Sequence, residues 1–156
     1  MKVFPVPFTH PDAAGLVAEV QAEYTMRYGG PDETPIDPTM FDPPHGAFFV
    51  GYLGDTPVAM GGWRFRDDVS AFDQTTVAEI KRMYVAPRAR RRGLARHVLA
   101  HLETTAQGAG AAVMVLETGI EQPEAIALYL SSGYSPVEGF GHYKWSPKSR
   151  YYGKLL

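Results

Sequence analysis

Residues 85–99 read VAPRARRRGLARHVL, and this stretch decides how the rest of the chain is interpreted. Five of the ten residues at 88–97 are arginine, although the net charge of the chain is −2. The run enters a helical pattern through Gly93. The first turn of a helix has unpaired N–H groups and partial positive charge, so it attracts anions and disfavours arginine. Crowded arginines at a helix start repel one another and the helix dipole, and a bound diphosphate offsets that repulsion. The pattern Arg90-x-x-Gly93-x-Ala95 between a strand and a helix therefore predicts a diphosphate site. A solvated basic helix start and a nucleic-acid contact remain alternatives.

Composition places the chain among ordinary globular proteins. Its 156 residues predict a single domain, residues 1–156, with 45% apolar and 21% charged residues. The chain has no cysteine, which excludes disulfides, thiolate-rich zinc sites and a cysteine nucleophile. The N-terminus lacks the apolar region of a signal peptide, so we expect a cytoplasmic protein with no membrane partner. The near-neutral charge argues against a general nucleic-acid binder.

Hydrophobic periodicity predicts a mixed α/β (α+β) architecture. Strands are expected at residues 3–8, 47–53, 57–66, 77–85, 112–118, 134–140 and 149–155. Helices are expected to begin at a capping box at residues 9–12, at Gly93 and at Pro123. Hairpins come first and β-α-β crossovers later, so we predict a mixed sheet with helices on both faces.

Several common chemical motifs are missing from the sequence. Neither GxxxxGK[ST] nor an early GxGxxG occurs, which argues against a P-loop and a dinucleotide-binding fold. No GxSxG supports an acyl-serine route. His97 and His101 lack the glutamate of HExxH, so we predict no metal site.

Two segments resemble motifs of a known family. Residues 83–85 (MYV) followed by 90–95 (RRRGLA) resemble the acetyl-CoA motif [Q/R]-x-x-G-x-[G/A] of the GCN5-related N-acetyltransferases (GNAT). About 30 residues later, 122–129 (QPEAIALY) and 132–134 (SGY) are similar to the second family motif, N-x-x-A-x-x-L-Y…G-[F/Y]. Gln122 stands where that motif usually has asparagine.

The resemblance implies a fold, a co-substrate and its contacts. It implies a GNAT-like, mostly antiparallel sheet splayed between the fourth and fifth strands, and direct transfer of acetyl from acetyl-CoA to an amine without a metal. The pantetheine arm is expected along the backbone of the fourth strand, and the diphosphate at the start of the following helix. The cofactor-binding residues expected from the resemblance are Met83, Tyr84, Val85, Arg90, Arg91, Arg92, Gly93, Leu94, Ala95 and Gln122.

The resemblance also points to two catalytic residues. Tyr129 is expected to be the general acid that protonates the CoA sulfur; the alternative is a half-buried core aromatic. Glu79 is expected to be the general base, directly or through water; the alternative is a surface salt bridge with Arg82 or Lys81. Strand alternation puts Glu79, Lys81 and Met83 on one face unless a bulge intervenes.

The sequence gives less information about the residues that would bind the acceptor. Residues 31–45 contain five prolines and four acids without Lys or Arg, and with Tyr28 they are expected to roof the acceptor pocket. A solvated loop is the alternative. Tyr52 and Trp63 are expected either to line that pocket or to fill the core.

The favoured function is therefore an acetyl-CoA-dependent N-acetyltransferase. Its partner is a small-molecule amine or amino-acid-like acceptor. A non-catalytic CoA-binding sensor and a nucleic-acid-binding domain are the competing functions. Dimers are frequent in the family, so a homodimer stays open.

Overall fold

Seven strands form one sheet in the order β1-β2-β3-β4-β5-β7-β6 in the computed structural model, which describes all 156 residues. The strands are β1 (Lys2–Pro5), β2 (Gly46–Leu53), β3 (Thr56–Arg66), β4 (Val77–Val85), β5 (Val113–Gly119), β6 (Ser135–Pro136) and β7 (Ser149–Leu155). The helices are α1 (Pro11–Tyr28), α2 (Leu94–Gly108) and α3 (Pro123–Ser131), with 3-10 turns at Pro38–Phe41 and Pro87–Ala89. All strand pairs are antiparallel except β4 with β5.

The helices cover both faces of the sheet. On one face, α1 buries Ala13, Leu16 and Val20 against β2, β3 and the 3-10 turn at Pro38–Phe41. On the other face, α2 buries Val98 and Leu102 in the largest core cluster, which also takes in residues of α3. These helical residues recur every three or four positions, as an amphipathic helix on a sheet requires. The predicted mixed sheet with helices on both faces is confirmed.

Three predicted boundaries were wrong, each for a local reason. The first strand ends at Pro5, short of the predicted residue 8, because Phe8 turns inward onto the rings of Phe41 and Phe48. The last hairpin strand keeps only two of its seven predicted residues, because Phe140 folds beneath the sheet against Tyr151.

The start of α1 also differs from the predicted capping box. The N-cap residue is His10, whose Nδ1 accepts a hydrogen bond from the Asp12 N–H. Thr9 lies outside the helix. The prediction placed the cap one residue too early because a histidine ring is an uncommon acceptor at that position.

Strands β4 and β5 separate partway along their length. They pair only from Val77–Val113 to Glu79–Val115. Beyond that point β5 pairs with β7 alone, and β4 continues to Val85 beside β3. The edge of β4 at residues 80–85 therefore faces no strand, and the predicted splay between the fourth and fifth strands is confirmed.

None of the helices combines the length and apolar character that crossing a bilayer requires.

Candidate active site

The gap between β4 and β5 opens into a cleft of about 870 Å³. Its walls come from the C-terminal half of α1, the open edge of β4, the end of β5, the start of α2 and the inner face of α3. A cleft at the carboxyl ends of parallel strands, where the sheet divides, is a common position for ligand sites.

A β-bulge shapes the β4 wall. Lys81 pairs with Gly62 and Tyr84 pairs with Met60, so Arg82 and Met83 together face one residue of β3. Arg82 takes a positive φ of 56°. Bulges bend the strand that carries them, which accounts for the divergence of β4 from β5.

The bulge corrects the prediction that Glu79, Lys81 and Met83 share a face. Glu79 and Lys81 lie on the α1 side of the sheet. Met83 points to the other side, toward α2, where it packs against the large core cluster. The bulge therefore places the Glu79 carboxylate and the Met83 side chain on opposite faces of β4.

The start of α2 has the features of an anion site. Gly93 is its N-cap, with a φ of 73°, and no side chain caps the helix. The first turn contains no acidic residue. A Cβ at Gly93 would meet no heavy atom within 4 Å, so the space above these N–H groups is open. Free N–H groups at the positive end of a helix dipole, approachable through glycine, fit a phosphate.

Some side chains of the arginine cluster form salt bridges within the chain, and others have no partner. Arg88 binds Glu19, and Arg90 binds Glu23. The Arg90 Nε also donates to the Val85 carbonyl, which ties the loop to β4.

The remaining arginines differ from those two. Arg96 donates to the hydroxyls of Ser131 and Ser132 at the end of α3. Arg91 and Arg92 make no hydrogen bond or salt bridge within the chain. Arg91 lines the cleft and Arg92 does not, and the cofactor contact predicted for Arg92 stays a prediction. Arg91 is thus the cluster's free guanidinium at the cleft.

Tyr129 lies on α3 and lines the cleft. Its ring is buried and packs edge-on against Tyr134, with ring centroids 5.7 Å apart. Its hydroxyl has no hydrogen-bond partner in the chain. Burial raises its pKa, and the nearby Tyr24 and Glu117 raise it further. The phenol therefore keeps its proton at neutral pH, as a proton donor must.

Glu79 lines the cleft, but its carboxylate is already paired with cationic side chains. Its Oε1 accepts from Arg66 Nη1 at 2.9 Å and from Arg64 Nε at 3.2 Å. Lys81 Nζ lies 3.7 Å from Oε2. The side chain is only 4% exposed. Three cations hold this carboxylate, so the salt-bridge alternative describes it better than a free base. The predicted partner Arg82 instead binds Asp32.

Glu117 on β5 was missed in the sequence analysis. It lines the cleft, and Oε1 accepts a hydrogen bond of 3.0 Å from the Ser149 hydroxyl. Burial raises its pKa; Asp32 and Glu79 raise it further, while Ser149 and Lys81 oppose them. The sequence feature that could have identified Glu117 is that it is the single carboxylate within the apolar run at 112–118.

The predicted acceptor-side residues separate into two groups. Tyr28 lines the cleft, and its hydroxyl accepts from the Glu121 N–H. Gln122, which was predicted as a cofactor contact, also lines the cleft and is the N-cap of α3.

Tyr52 and Trp63 do not line the cleft, so the pocket-lining prediction for them was wrong. Tyr52 lies at the β2 edge and donates to Asp12. Trp63 is buried under α2, where its Nε1 donates to Thr105 Oγ1. Large aromatic side chains on these central strands fill the core.

Two of the four carboxylates of the acidic loop are engaged within the chain. Asp32 is bound by Arg82 and Thr34, and Asp37 caps the 3-10 turn through Thr39. Residues 31–33, at the beginning of the loop, line the cleft, and the rest of the loop does not.

Comparison with known proteins adds independent information. The family model of the acetyltransferase (GNAT) family matches residues 16–134. An IAA acetyltransferase of Azospirillum brasilense is 40% identical over 78 residues, which are 50% of this chain and 51% of that protein. The match thus spans about half the length of that relative.

Solved structures share the fold over the whole chain. A Klebsiella pneumoniae protein named as an acyl-CoA N-acyltransferase superposes with a TM-score of 0.79 and 25% identity, covering 99% of this chain and 97% of that one. The PaiA N-acetyltransferase of Thermoplasma acidophilum, solved in complex with coenzyme A, has a TM-score of 0.71 and 11% identity, covering 100% of both chains.

The divided sheet, the uncapped start of α2 and the family match over residues 16–134 agree, and the chain belongs to the acetyltransferase (GNAT) family.

Proposed function

We propose that the protein transfers the acetyl group of acetyl-CoA to a primary amine of a small acceptor. The observation that carries the proposal is a continuous surface that runs from the open edge of β4 to the uncapped start of α2. Tyr129 and Glu117 line the same cleft from the opposite side. The fold relative from Thermoplasma acidophilum, solved with coenzyme A, supports this choice of co-substrate.

The chain's residues fit two polar parts of coenzyme A, namely its diphosphate and the amides of its pantetheine arm. The N–H groups that follow Gly93, with Arg91 beside them, would hold the diphosphate. The strand edge at 80–85 has no β5 partner, so its backbone groups would pair with the arm's amides as an added strand does. Acetyl-CoA supplies an activated acetyl group as a thioester.

Glu117 is the group we assign to proton removal, in place of Glu79. An alkylammonium has a pKa near 10.4, so the acceptor must lose a proton before its nitrogen can attack. A carboxylate with a raised pKa accepts that proton more readily than an ordinary one. Glu79 is held by three cations and serves to fix the surrounding charges.

Tyr129 is the group we assign to proton donation. As the nitrogen–carbon bond forms and the carbon–sulfur bond breaks, the Tyr129 hydroxyl gives its proton to the departing sulfur. The nitrogen sheds its second proton as it becomes an amide, and the tyrosinate takes one up through solvent. Burial raises the pKa of Tyr129, so the phenol is protonated at the start of every cycle. That pKa lies above the thiol pKa of about 8.5, so the proton transfer is uphill and accompanies cleavage of the carbon–sulfur bond.

A coupled experiment tests the function. Calorimetry measures acetyl-CoA binding, and a free-thiol assay follows release of CoA over a panel of primary amines. The proposal expects binding together with amine-dependent thiol release. Tight binding without turnover on any amine would favour a CoA-binding sensor, and salt-dependent binding of DNA or RNA with no CoA binding would favour a nucleic-acid module.

A further inference from the structure

A second, smaller cavity adjoins the cleft on the α1 side of the sheet. It measures about 280 Å³, and Glu79, Lys81, Glu117 and Tyr143 line both cavities. A cavity of this size is at the low end for ligand sites. A molecule whose reacting group sits at Glu117 can therefore extend into it.

Three cationic and two acidic side chains line the wall of this cavity. Arg64, Arg66 and Lys81 all line it and all approach one carboxylate, that of Glu79. Arg66 is also held by Asp68 through two bonds of 2.7 Å, so each of its three nitrogens already donates to a carboxylate. Arg64 and Lys81 have no second carboxylate.

The two remaining cations keep donors free. Arg64 uses only Nε, toward Glu79, and its two terminal nitrogens have no partner in the chain. Lys81 Nζ lies 3.7 Å from Glu79 and makes no hydrogen bond. Their side chains are 27% and 12% exposed. Partly buried cations with free donors bind anions well, and an arginine fork matches a carboxylate in particular.

The two cations approach the same carboxylate, Arg64 at Oε1 of Glu79 and Lys81 at Oε2. Glu117 lies on the neighbouring strand at the boundary of the two cavities. An acceptor amine at Glu117 thus has cationic donors a short distance beyond it.

Resting on the proposed function, we infer that the acceptor is a free amino acid or a close analogue, whose carboxylate binds Arg64 and Lys81 in this second cavity. The amine then faces Glu117 and the thioester in the cleft. A plain alkylamine or a peptide lysine brings no carboxylate to these donors and binds more weakly.

Matched acceptor pairs test the inference. Initial rates of thiol release are measured for free amino acids, for their amides and for the amines left after removal of the carboxylate. The expected kcat/KM of the free acid exceeds that of both partners by about 10-fold or more, since a charge-assisted hydrogen bond contributes at least that much. Equal or better turnover of the amides and plain amines would overturn the inference while leaving the proposed function intact.

Variants locate the effect in the cavity. Arg64→Gln and, separately, Lys81→Gln are expected to raise KM for the free amino acid about 10-fold, with little change for the plain amine or in acetyl-CoA affinity. Arg88→Gln removes the same charge at a site outside both cavities and is the control. An equal loss on both acceptors would refute the inference. Absence of acetyl-CoA binding and of turnover on every amine would instead refute the proposed function itself.

Discussion

Glu79 and Glu117 lie on neighbouring strands of the cleft, and their surroundings separate their roles. Glu79 accepts from Arg66 and Arg64, whereas Glu117 accepts one bond from the neutral Ser149 hydroxyl. The sequence indicated a carboxylate on the fourth strand, but the arginines that hold it come from β3. Burial between segments raises the pKa of Glu117, and Asp32, which lies far away in the chain, raises it further. Local sequence patterns therefore do not predict side-chain environments that are formed by segments distant in the chain.

Glu117→Gln removes the proposed proton acceptor. We expect kcat to fall on the order of 10²-fold. In the wild-type enzyme, kcat/KM should decline as pH falls through a midpoint above that of an ordinary glutamate, since burial raises the pKa of Glu117 and the protonated carboxyl cannot accept a proton from the amine. A pH–rate profile measures that midpoint. An unchanged kcat in the variant at saturating substrate would contradict the assignment.

The same substitution should affect stability differently at the two glutamates. Burial raises the folded-state pKa of Glu117, so the fold favours the protonated form, and that contribution is lost as pH rises through the raised pKa. At pH 7 Glu117→Gln should therefore keep or raise the urea midpoint. Glu79→Gln leaves buried cations short of a partner and should cost about 3 kcal/mol. Equal losses in both variants would count against this account of their surroundings.

Tyr129→Phe removes one oxygen atom and keeps the ring packing against Tyr134. The hydroxyl has no partner in the chain, so we expect little change in stability or in acetyl-CoA affinity. If the phenol protonates the leaving sulfur, kcat should fall on the order of 10²-fold. Single-turnover kinetics of the two proteins provide the measurement, and a chemical step of equal rate in both would exclude the role.

The segment between β4 and α2 explains why so many arginines precede a helix. Arg88 and Arg90 fasten the loop to Glu19 and Glu23 of α1, and Arg96 fastens α2 to α3. Only part of the cluster is left for a ligand. The strand, the glycine and the helix were predictable from local pattern, and β4 has the predicted bounds of 77–85. The ion pairs to α1 were not, since they join residues more than sixty positions apart.

Gly93→Ala tests the helix start, with Gly54→Ala as its matched control. Both glycines have a positive φ, 73° and 59°, and open space where a Cβ would stand. Each substitution should cost about 1 kcal/mol of stability through the same backbone strain. Only Gly93→Ala places a methyl where a phosphate would approach, and we expect its acetyl-CoA affinity alone to fall, by about 10-fold. Parallel losses of affinity in the two variants would indicate a general effect of strain.

The division of the sheet belongs to the molecule as a whole. The order of hairpins and crossovers in the sequence predicted a mixed sheet with helices on both faces, and the family resemblance predicted its splay between the fourth and fifth strands. The bulge at Arg82 and Met83 did not, because it appears only when β3 and β4 are placed in register. The cleft needs both, together with α1 and α3 closing its ends through Arg27 and Glu124.

Because the cleft draws on α1, β4, β5, α2 and α3, a ligand that fills it should stabilise the entire fold. Acetyl-CoA at about 100 times its Kd should add about 2.7 kcal/mol, which for a chain of this length raises Tm by about 5–10 °C. Differential scanning calorimetry measures the shift. A Tm unchanged at saturating acetyl-CoA would contradict binding to the folded cleft.

Titration calorimetry with acetyl-CoA on the wild type, Arg91→Gln and Arg88→Gln tests the diphosphate site most directly. The three proteins share a fold, and the two variants differ from the wild type by the same loss of charge within one loop. We expect the wild type and Arg88→Gln to bind alike and Arg91→Gln to bind about 10-fold more weakly. A wild type that fails to bind, or two variants weakened equally, would contradict the assignment of that site.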